Sequence, residues 1–539
     1  MMKSMKLDFR HVGITRISGV AALCMVVALH MSVGASTPAI DVGDRLEVFW
    51  DDAVVDLRET TARRVVHQPE YVGVAMRHDA PWEGDGSDFH NILEDVDAKG
   101  KLYRMYYLGW AFGDQCVPSK MTIPHSGIRV CYAESRDGVA WTKPNLGLCE
   151  FNGSKTNNIL FNARAFGFGW DNFMVFKDGN PACPPDARYK AVARIEGAFG
   201  AGDAGKGGGL GCFLSADGIH FRPGWLLTRD GAFDSLNLAF WDATRGEYHC
   251  YFRGFHQVTS ERNGDLGVRD VRHMVSKDFR NWTEAKRIDF QPDENGAPAE
   301  DYALYTNVVQ PYPRAPHLFV GFPSRYVERK AWTPNYDRLP GVENRRYRSG
   351  KSPRHGLVVT DCVFMMTRDG QRFHREDDAF MRPGPENPLN WVYGDCYPSR
   401  GLPLVAARRP GADPELAFYT FEGHWSGGGE DVLRWVLRQD GFVSRHAPYA
   451  GAKVVTKPLV FDGDELLLNF STSARGRIFV TLREAETGRE LKSCEIFGDK
   501  VDRPVDFAGG SPAEFRGRAV VLEFDMSDAD VYSFRFRKN

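Results

Sequence analysis

A short pattern recurs along this chain and limits its fold more than any other feature. Ser or Thr, then any residue, then Asp, with an aromatic six positions after the first, occurs at Ser135, Asp137 and Trp141, at Ser215, Asp217 and Phe221, at Ser276, Asp278 and Trp282, and at Thr367, Asp369 and Phe373. A degenerate copy follows at Asp440, Gly441 and Phe442. Gly138, Gly218 and Gly370 stand directly after the Asp. Asp-Gly suits a tight hairpin turn, because Gly accepts positive φ and the Asp carboxylate can bond its own turn backbone. The aromatic is expected to begin the next strand and pack inward.

Two further strand signals precede each copy. The nearer ones are Tyr103 to Tyr107, Tyr189 to Arg194, Tyr248 to Arg253, His317 to Phe322 and Leu416 to Thr420; the farther ones begin near Asn91, Phe173, Leu236, Asn307 and Leu402. Each unit therefore reads as strands A, B and C, a turn, and an outer strand D, the four-stranded sheet of a propeller blade. Five units predict an all-β chain with a five-bladed β-propeller over residues 40–445. The units are spaced by roughly 60 to 90 residues, longer than compact repeats of about 40 to 50, so loops carry insertions on a binding face. Arg45 to Asp56 has a strand pattern and either closes the ring against the last blade or flanks it. After Asp440 short alternating strands predict a β-sandwich over residues 446–539.

Innermost strands of a propeller open onto its central channel, so residues at their entry ends ring one mouth. Asn91, Asn172, Asn237 and Asn307 stand at or before four A strands, with Asp88 and Asp234 three residues upstream of their Asn and Asp171 directly before Asn172. Glu300 and Asp301 lie just ahead of Asn307 as reserve acids, and His90, Trp170, Tyr302, Tyr305, Arg325 and Tyr397 lie near the same entries. Carboxylates converging on one cavity repel and raise one another's pKa, an arrangement expected where acid and base chemistry is done. The competing role is structural, since Asn and Asp at strand ends bond loop backbone. No HExxH, GxSxG or phosphate-loop motif occurs and the histidines lack ligand spacing, so no metal or cofactor is expected. Gly205 to Gly211 reads as a long hairpin.

The chain resembles secreted bacterial five-bladed propeller proteins similar to glycoside hydrolase families 32, 43 and 68. Matching segments are Val48 to Asp52, Ser135 to Leu148, Phe151 to Asn158, Phe233 to Asn237, Tyr305 to Pro316 and Arg438 to Ser444. In those families an acid on each of the first three blades serves as nucleophile or base, transition-state stabiliser and general acid. The resemblance therefore implies Asp88, Asp171 and Asp234 as catalytic acids, with individual roles open because the strict fructosidase signature is absent. Substrate contacts would come from His90, Asn91, Trp170, Asn172, Asn237, Tyr305, Asn307, Arg325 and Tyr397. The expected function is hydrolysis of a glycosidic bond in a poly- or oligosaccharide; the alternative is a non-catalytic carbohydrate-binding propeller.

Lys3, Lys6, Arg10 and Arg16 precede an apolar run from Ile17 to Val33, which reads as a signal peptide over residues 1–35 with export to the periplasm or medium. A formal net charge of −3 with interspersed signs excludes an electrostatic case for nucleic acid or an anionic membrane. The partner expected is a carbohydrate. Scattered cysteines form no disulfide framework, although Cys116 is a candidate for one loop bridge; Cys131, Cys212 and Cys250 fall in apolar strand runs and read as buried.

Overall fold

A computed structural model describes residues 38–111, 127–163, 165–197, 199, 208–257, 267–292 and 296–538. The signal-peptide segment, Cys116 and the first three residues of the Gly205 to Gly211 hairpin lie outside these residues. Five antiparallel sheets follow one another along the chain. Blade one contains Asn91–Asp97, Gly100–Gly109, Arg129–Ser135 and Ile159–Asn162; blade two Gly169–Lys177, Tyr189–Glu196, Gly209–Ser215 and Arg222–Thr228; blade three Leu238–Asp242, Glu247–His256, Val268–Ser276 and Lys286–Arg287. Blade four is Gln310–Tyr312, Ala315–Gly321, Met365–Thr367 and Arg372–Arg375, extended at its rim by Asp289–Phe290 in parallel. Blade five contains Leu404–Val405, Glu415–Glu422 and Glu430–Arg438, and its outer strand is Glu70–His78 from the other end of the chain. The expected five-bladed propeller is thus present.

Ring closure belongs to Glu70–His78, and not to Arg45 to Asp56. Glu430–Arg438 would otherwise leave a row of open backbone groups at a sheet edge. Glu47–Val48 pairs instead with Val520–Arg537 of the C-terminal sheet, and Ile40–Gly43, Arg63–Val66 and Val443–Ala447 join the same eleven-stranded sheet. Two long strands, Glu465–Glu484 and Val520–Arg537, pair along their length and bend over one apolar core containing Leu468, Val480, Leu522 and Phe534, the expected β-sandwich.

Strands between the innermost and outermost of a blade are covered by neighbouring blades on both faces, so they read as continuous apolar runs. Gly209–Ser215 is buried at every position, whereas the rim strand Glu70–His78 is exposed at about every second one. Aromatic edges fill the seams: Phe161 meets Phe173 at 4.9 Å, Phe240 meets Phe319 at 5.0 Å and Phe322 meets Phe418 at 5.3 Å, all T-shaped.

The repeated motif is a blade clip. In the first copy Ser135 Oγ accepts from Gly138 N at 2.9 Å, and Asp137 Oδ1 accepts from Val139 N and Ala140 N at 2.8 and 2.9 Å. Gly138, Gly218 and Gly370 adopt φ of 70°, 78° and 82°, and Phe279 takes the same strained place at 64° in the third copy. Each turn also presents a carbonyl to the previous blade. Tyr106 Oη donates to Gly218 O at 2.9 Å, Tyr251 Oη to Gly370 O at 2.6 Å, and Tyr419 Oη to Gly138 O across the closure. Tyr251→Phe should therefore cost about 1 kcal/mol in a denaturant titration, as loss of one buried hydrogen bond does; an unchanged midpoint would contradict the clip. Blade one departs from the expected layout. Its outer strand starts at Ile159, and Trp141 packs on Tyr419 of blade five at 5.7 Å.

The degenerate fifth copy is a buried junction. Asp440 is fully buried with φ of 59° and accepts from Tyr312 Oη at 2.6 Å, Arg314 Nε at 2.9 Å, Ser533 Oγ at 2.6 Å and Asn469 Nδ2 at 3.0 Å. It ties blades four and five to the C-terminal sheet. Trp50 Nε1 donates to its carbonyl at 2.9 Å, and the Trp50 ring packs edge-on against Tyr312, Phe364 and Phe442. Among the described residues no helix is long and apolar enough to cross a membrane, and the eight described cysteines are free, with Cys131, Cys212 and Cys250 buried.

Candidate active site

Asp88, Asp171 and Asp234 line one cavity of about 290 Å³ where the first three blades enter the channel, near the lower end of the roughly 300–1,000 Å³ of ligand pockets. Each acid is held by its own backbone device. Asp88 precedes the inner strand of blade one, and its carbonyl accepts from Leu108 N at 3.3 Å. Asp171 sits within Gly169–Lys177 opposite Arg194, where a register shift and φ of 55° at Asn172 turn the strand. Asp234 stands on a loop whose Phe233 carbonyl accepts from Asn237 Nδ2 at 2.7 Å and Asn172 Nδ2 at 3.3 Å.

One guanidinium connects two of the acids. Arg194 Nη1 lies 3.9 Å from Asp171 Oδ2 and 3.4 Å from Asp234 Oδ1. Their nearest oxygens can therefore be no farther apart than those two distances combined, inside the roughly 10 Å over which two acids flank one glycosidic bond. Arg253 Nη2 lies 3.6 Å from the other Asp234 oxygen. Burial first, then the neighbouring charge of Asp234, pushes Asp171 up to about 7, against the opposing Asn172 N–H and Arg194. Burial, then Asp171 and Asp234, pushes Asp88 well above the usual carboxylate range, and Asp88 Oδ1 is buried without a hydrogen-bond partner.

Aromatic rings form the walls. Tyr393 stacks on Trp425 at 4.7 Å, Tyr305 stacks on Tyr397 at 5.5 Å, and Trp110 meets Trp425 edge-on at 6.4 Å. Tyr393 Oη donates to Tyr305 Oη at 2.6 Å. Arg354 and His355 also line the cavity; they come from Pro353–Leu357, a short helix inserted between the second and third strands of blade four. Burial and the nearby Arg354 and Arg348 push His355 down to about 4, so it is neutral at pH 7. His424 lines the cavity with its Nδ1 2.9 Å from Oε1 of the fully buried Glu430.

Of the residues singled out in the sequence, Asp88, Asp171, Asp234, Asn172, Tyr305 and Tyr397 line this cavity, and the others do not. Asp301 pairs with His256 at 2.8 Å and Arg287 at 2.6 Å, and Glu300 lends its carbonyl to Arg375 at 2.7 Å. Arg325 is held by Asp361 at 2.5 Å. Trp170 is a core residue edge-on to Phe161, and His90 is sealed behind the wall, stacked on His78 at 5.1 Å, with burial pushing it down to about 3. Asn91, Asn237 and Asn307 bond backbone, Asn91 Oδ1 accepting from Val175 N at 2.6 Å and Asn307 Nδ2 donating to Leu236 O at 3.1 Å. These three take the structural role that the sequence left open. Trp110, Arg354, His355, Tyr393, His424 and Trp425 were not anticipated; they fall outside the repeat, and only the unusual length between blade four's strands marked an insertion there.

No group of three or more metal-binding side chains suited to hold an ion occurs among the described residues. No protein-family model matches the chain, and no curated protein matches it in sequence. Among solved structures it is similar to an N-acetylgalactosamine deacetylase from F. plautii in complex with blood group B trisaccharide, at 13% identity over 70% of this chain and 94% of the other, with a TM-score of 0.39. It is also similar to a glycoside hydrolase family 32 β-fructofuranosidase from Bombyx mori, at 8% identity over 86% and 94% of the two chains and a TM-score of 0.36. A glycoside hydrolase family 43 arabinoxylan arabinofuranohydrolase from Bacillus subtilis is similar at 11% identity over 85% and 81%, with a TM-score of 0.28.

Proposed function

We propose that this protein hydrolyses a glycosidic bond of an oligo- or polysaccharide in the cavity between Asp88, Asp171 and Asp234. The observation that carries this reading is the convergence of three carboxylates from three blades on one aromatic-walled cavity. Sugar rings present apolar faces that suit tryptophan and tyrosine, and a cavity this small fits the end of a glycan better than its middle.

Cleavage through an oxocarbenium-like state needs a protonated acid at the leaving oxygen and an ionised carboxylate across the ring. Asp171 supplies the proton: pushed up to about 7, it is substantially protonated near neutral pH. Asp234, between Arg194 and Arg253, supplies the carboxylate, either attacking the sugar or activating water. Asp88, buried beside both and held protonated by that burial, stays a neutral carboxyl that can hydrogen-bond a sugar hydroxyl and position the ring. Blade order in the resembled families would give the acid's role to the third blade. The electrostatics favour the second, because two guanidiniums flank Asp234 while Asp171 is the more enclosed.

Export, argued from residues 1–35, places such an enzyme where environmental glycans are met. Release of sugar from a panel of glycans and aryl glycosides tests the function. The purified protein should liberate reducing sugar from at least one of them; tight binding of a glycan with no release at any pH would leave a binding propeller instead.

A further inference from the structure

Apart from the acid cavity, side chains from several blades meet around Arg400. Arg400 pairs through its backbone with blade one, its N–H donating to His90 O at 3.0 Å and its carbonyl accepting from Ile92 N at 2.8 Å. Its side chain reaches blade two, where Nη1 donates to Val175 O at 3.1 Å. Asn91 ends on the same residue, with Oδ1 accepting from Val175 N at 2.6 Å. Gln310 of blade four is fastened beside them, its Oε1 accepting from Gly401 N at 3.0 Å. Gln310 and Arg400 both line a second cavity of about 610 Å³, which shares no residue with the acid cavity.

In this cluster the acceptor atoms are used and the donors are left over. Arg400 Nε, Gln310 Nε2 and Asn91 Nδ2 are all buried with no hydrogen-bond partner, on residues that are 8%, 6% and 0% exposed. The nearby charges are already matched: Glu94 pairs with Lys101 at 3.1 Å, Lys177 with Asp95 at 2.6 Å, and Arg314 with Asp440 at 2.9 Å. Among the described residues no carboxylate forms a salt bridge with Arg400. Burial accordingly pushes its guanidinium down to about 10. An uncompensated buried charge is strongly unfavourable, and each unmet buried donor adds to that cost. Water would meet the donors and leave the charge uncompensated. A cation would meet neither need.

We propose that a small monovalent anion of halide size occupies the propeller axis, held by Arg400 Nε, Gln310 Nε2 and Asn91 Nδ2 from the entries of blades five, four and one. The anion neutralises the guanidinium and links donors from blades five, four and one.

Crystals of the full chain grown or soaked in sodium bromide, together with thermal melts in sodium chloride and in sodium gluconate at equal ionic strength, test this. Bromide should give an anomalous peak within hydrogen-bonding distance of all three donors. Chloride should raise the Tm over gluconate by about 1–3 °C, saturably, as a ligand specific for the native state does. Arg400→Gln should lose that chloride dependence; if this variant does not fold, the wild-type melts and the bromide density decide. No anomalous peak at the three donors overturns the proposal whatever the melts show. A peak with identical melting in chloride and gluconate marks an adventitious ion only and overturns it as well.

Discussion

Asp171→Asn should lose about a hundredfold or more in kcat on any glycan the protein cleaves, the usual loss on removing a general acid, and should be more stable than the wild type at pH 8. The two effects share one cause. Asp171 has its pKa raised from 3.8 to about 7, by burial first and by Asp234 second. A carboxyl raised in the folded state stabilises most below its unfolded pKa, and that contribution is lost as pH rises from about 4 through about 7. Asparagine carries no proton to lose, so the variant escapes the penalty, a gain of about 1–3 kcal/mol at pH 8 on this linkage. The wild-type kcat/KM should fall as pH rises through about 7, because the acid must be protonated to act. A variant with normal turnover, or with lower stability at pH 8, would remove Asp171 from the role.

The second large effect lies far from the cavity. Asp440→Ala should cost about 3–5 kcal/mol in denaturant unfolding, the scale of breaking a buried charge network. Tyr312, Ser533 and Asn469 would each lose a buried acceptor, and Arg314 would keep Asp502 at 2.9 Å and Gln439 Oε1 at 3.0 Å. Burial pushes the Asp440 carboxyl up, yet Arg314, Ser533 and Tyr312 outweigh it and hold it below the usual range. Its contribution is therefore present above pH 4 and lost as pH falls further. Asp137→Ala, at an exposed turn of the same motif, should cost only about 1 kcal/mol. Equal costs at the two positions would mean that Asp440 is an ordinary turn residue.

The contrast between those two aspartates shows what the sequence could and could not reveal. Four turns were legible because everything that makes them lies within seven residues: a hydroxyl, a carboxylate, a residue at positive φ and an aromatic. Asp440 shares the local pattern, but its partners Tyr312, Asn469 and Ser533 come from three distant segments, so its burial had no local sign. Ring closure by Glu70–His78 was hidden for the same reason, since its pairing partner Glu430–Arg438 lies at the far end of the ring. The acids at Asp88, Asp171 and Asp234 were found by their offset from the A strands. The Asn series that marked them serves mainly to hold backbone, and at Asn172 and Asn237 it holds the Phe233 carbonyl beside Asp234. Walls built by Trp110, Tyr393, Trp425 and the Arg354–His355 insertion carry no repeat and left no periodic trace.

Whether the three blade-entry carboxylates break a glycosidic bond is decided by measuring turnover and glycan affinity side by side, by released sugar and by calorimetry, for the wild type, Asp171→Asn and Asp234→Asn. Both variants should bind the glycan within a few-fold of wild type and turn it over at about a hundredth of its rate or less. Wild-type turnover retained in both variants would contradict this role.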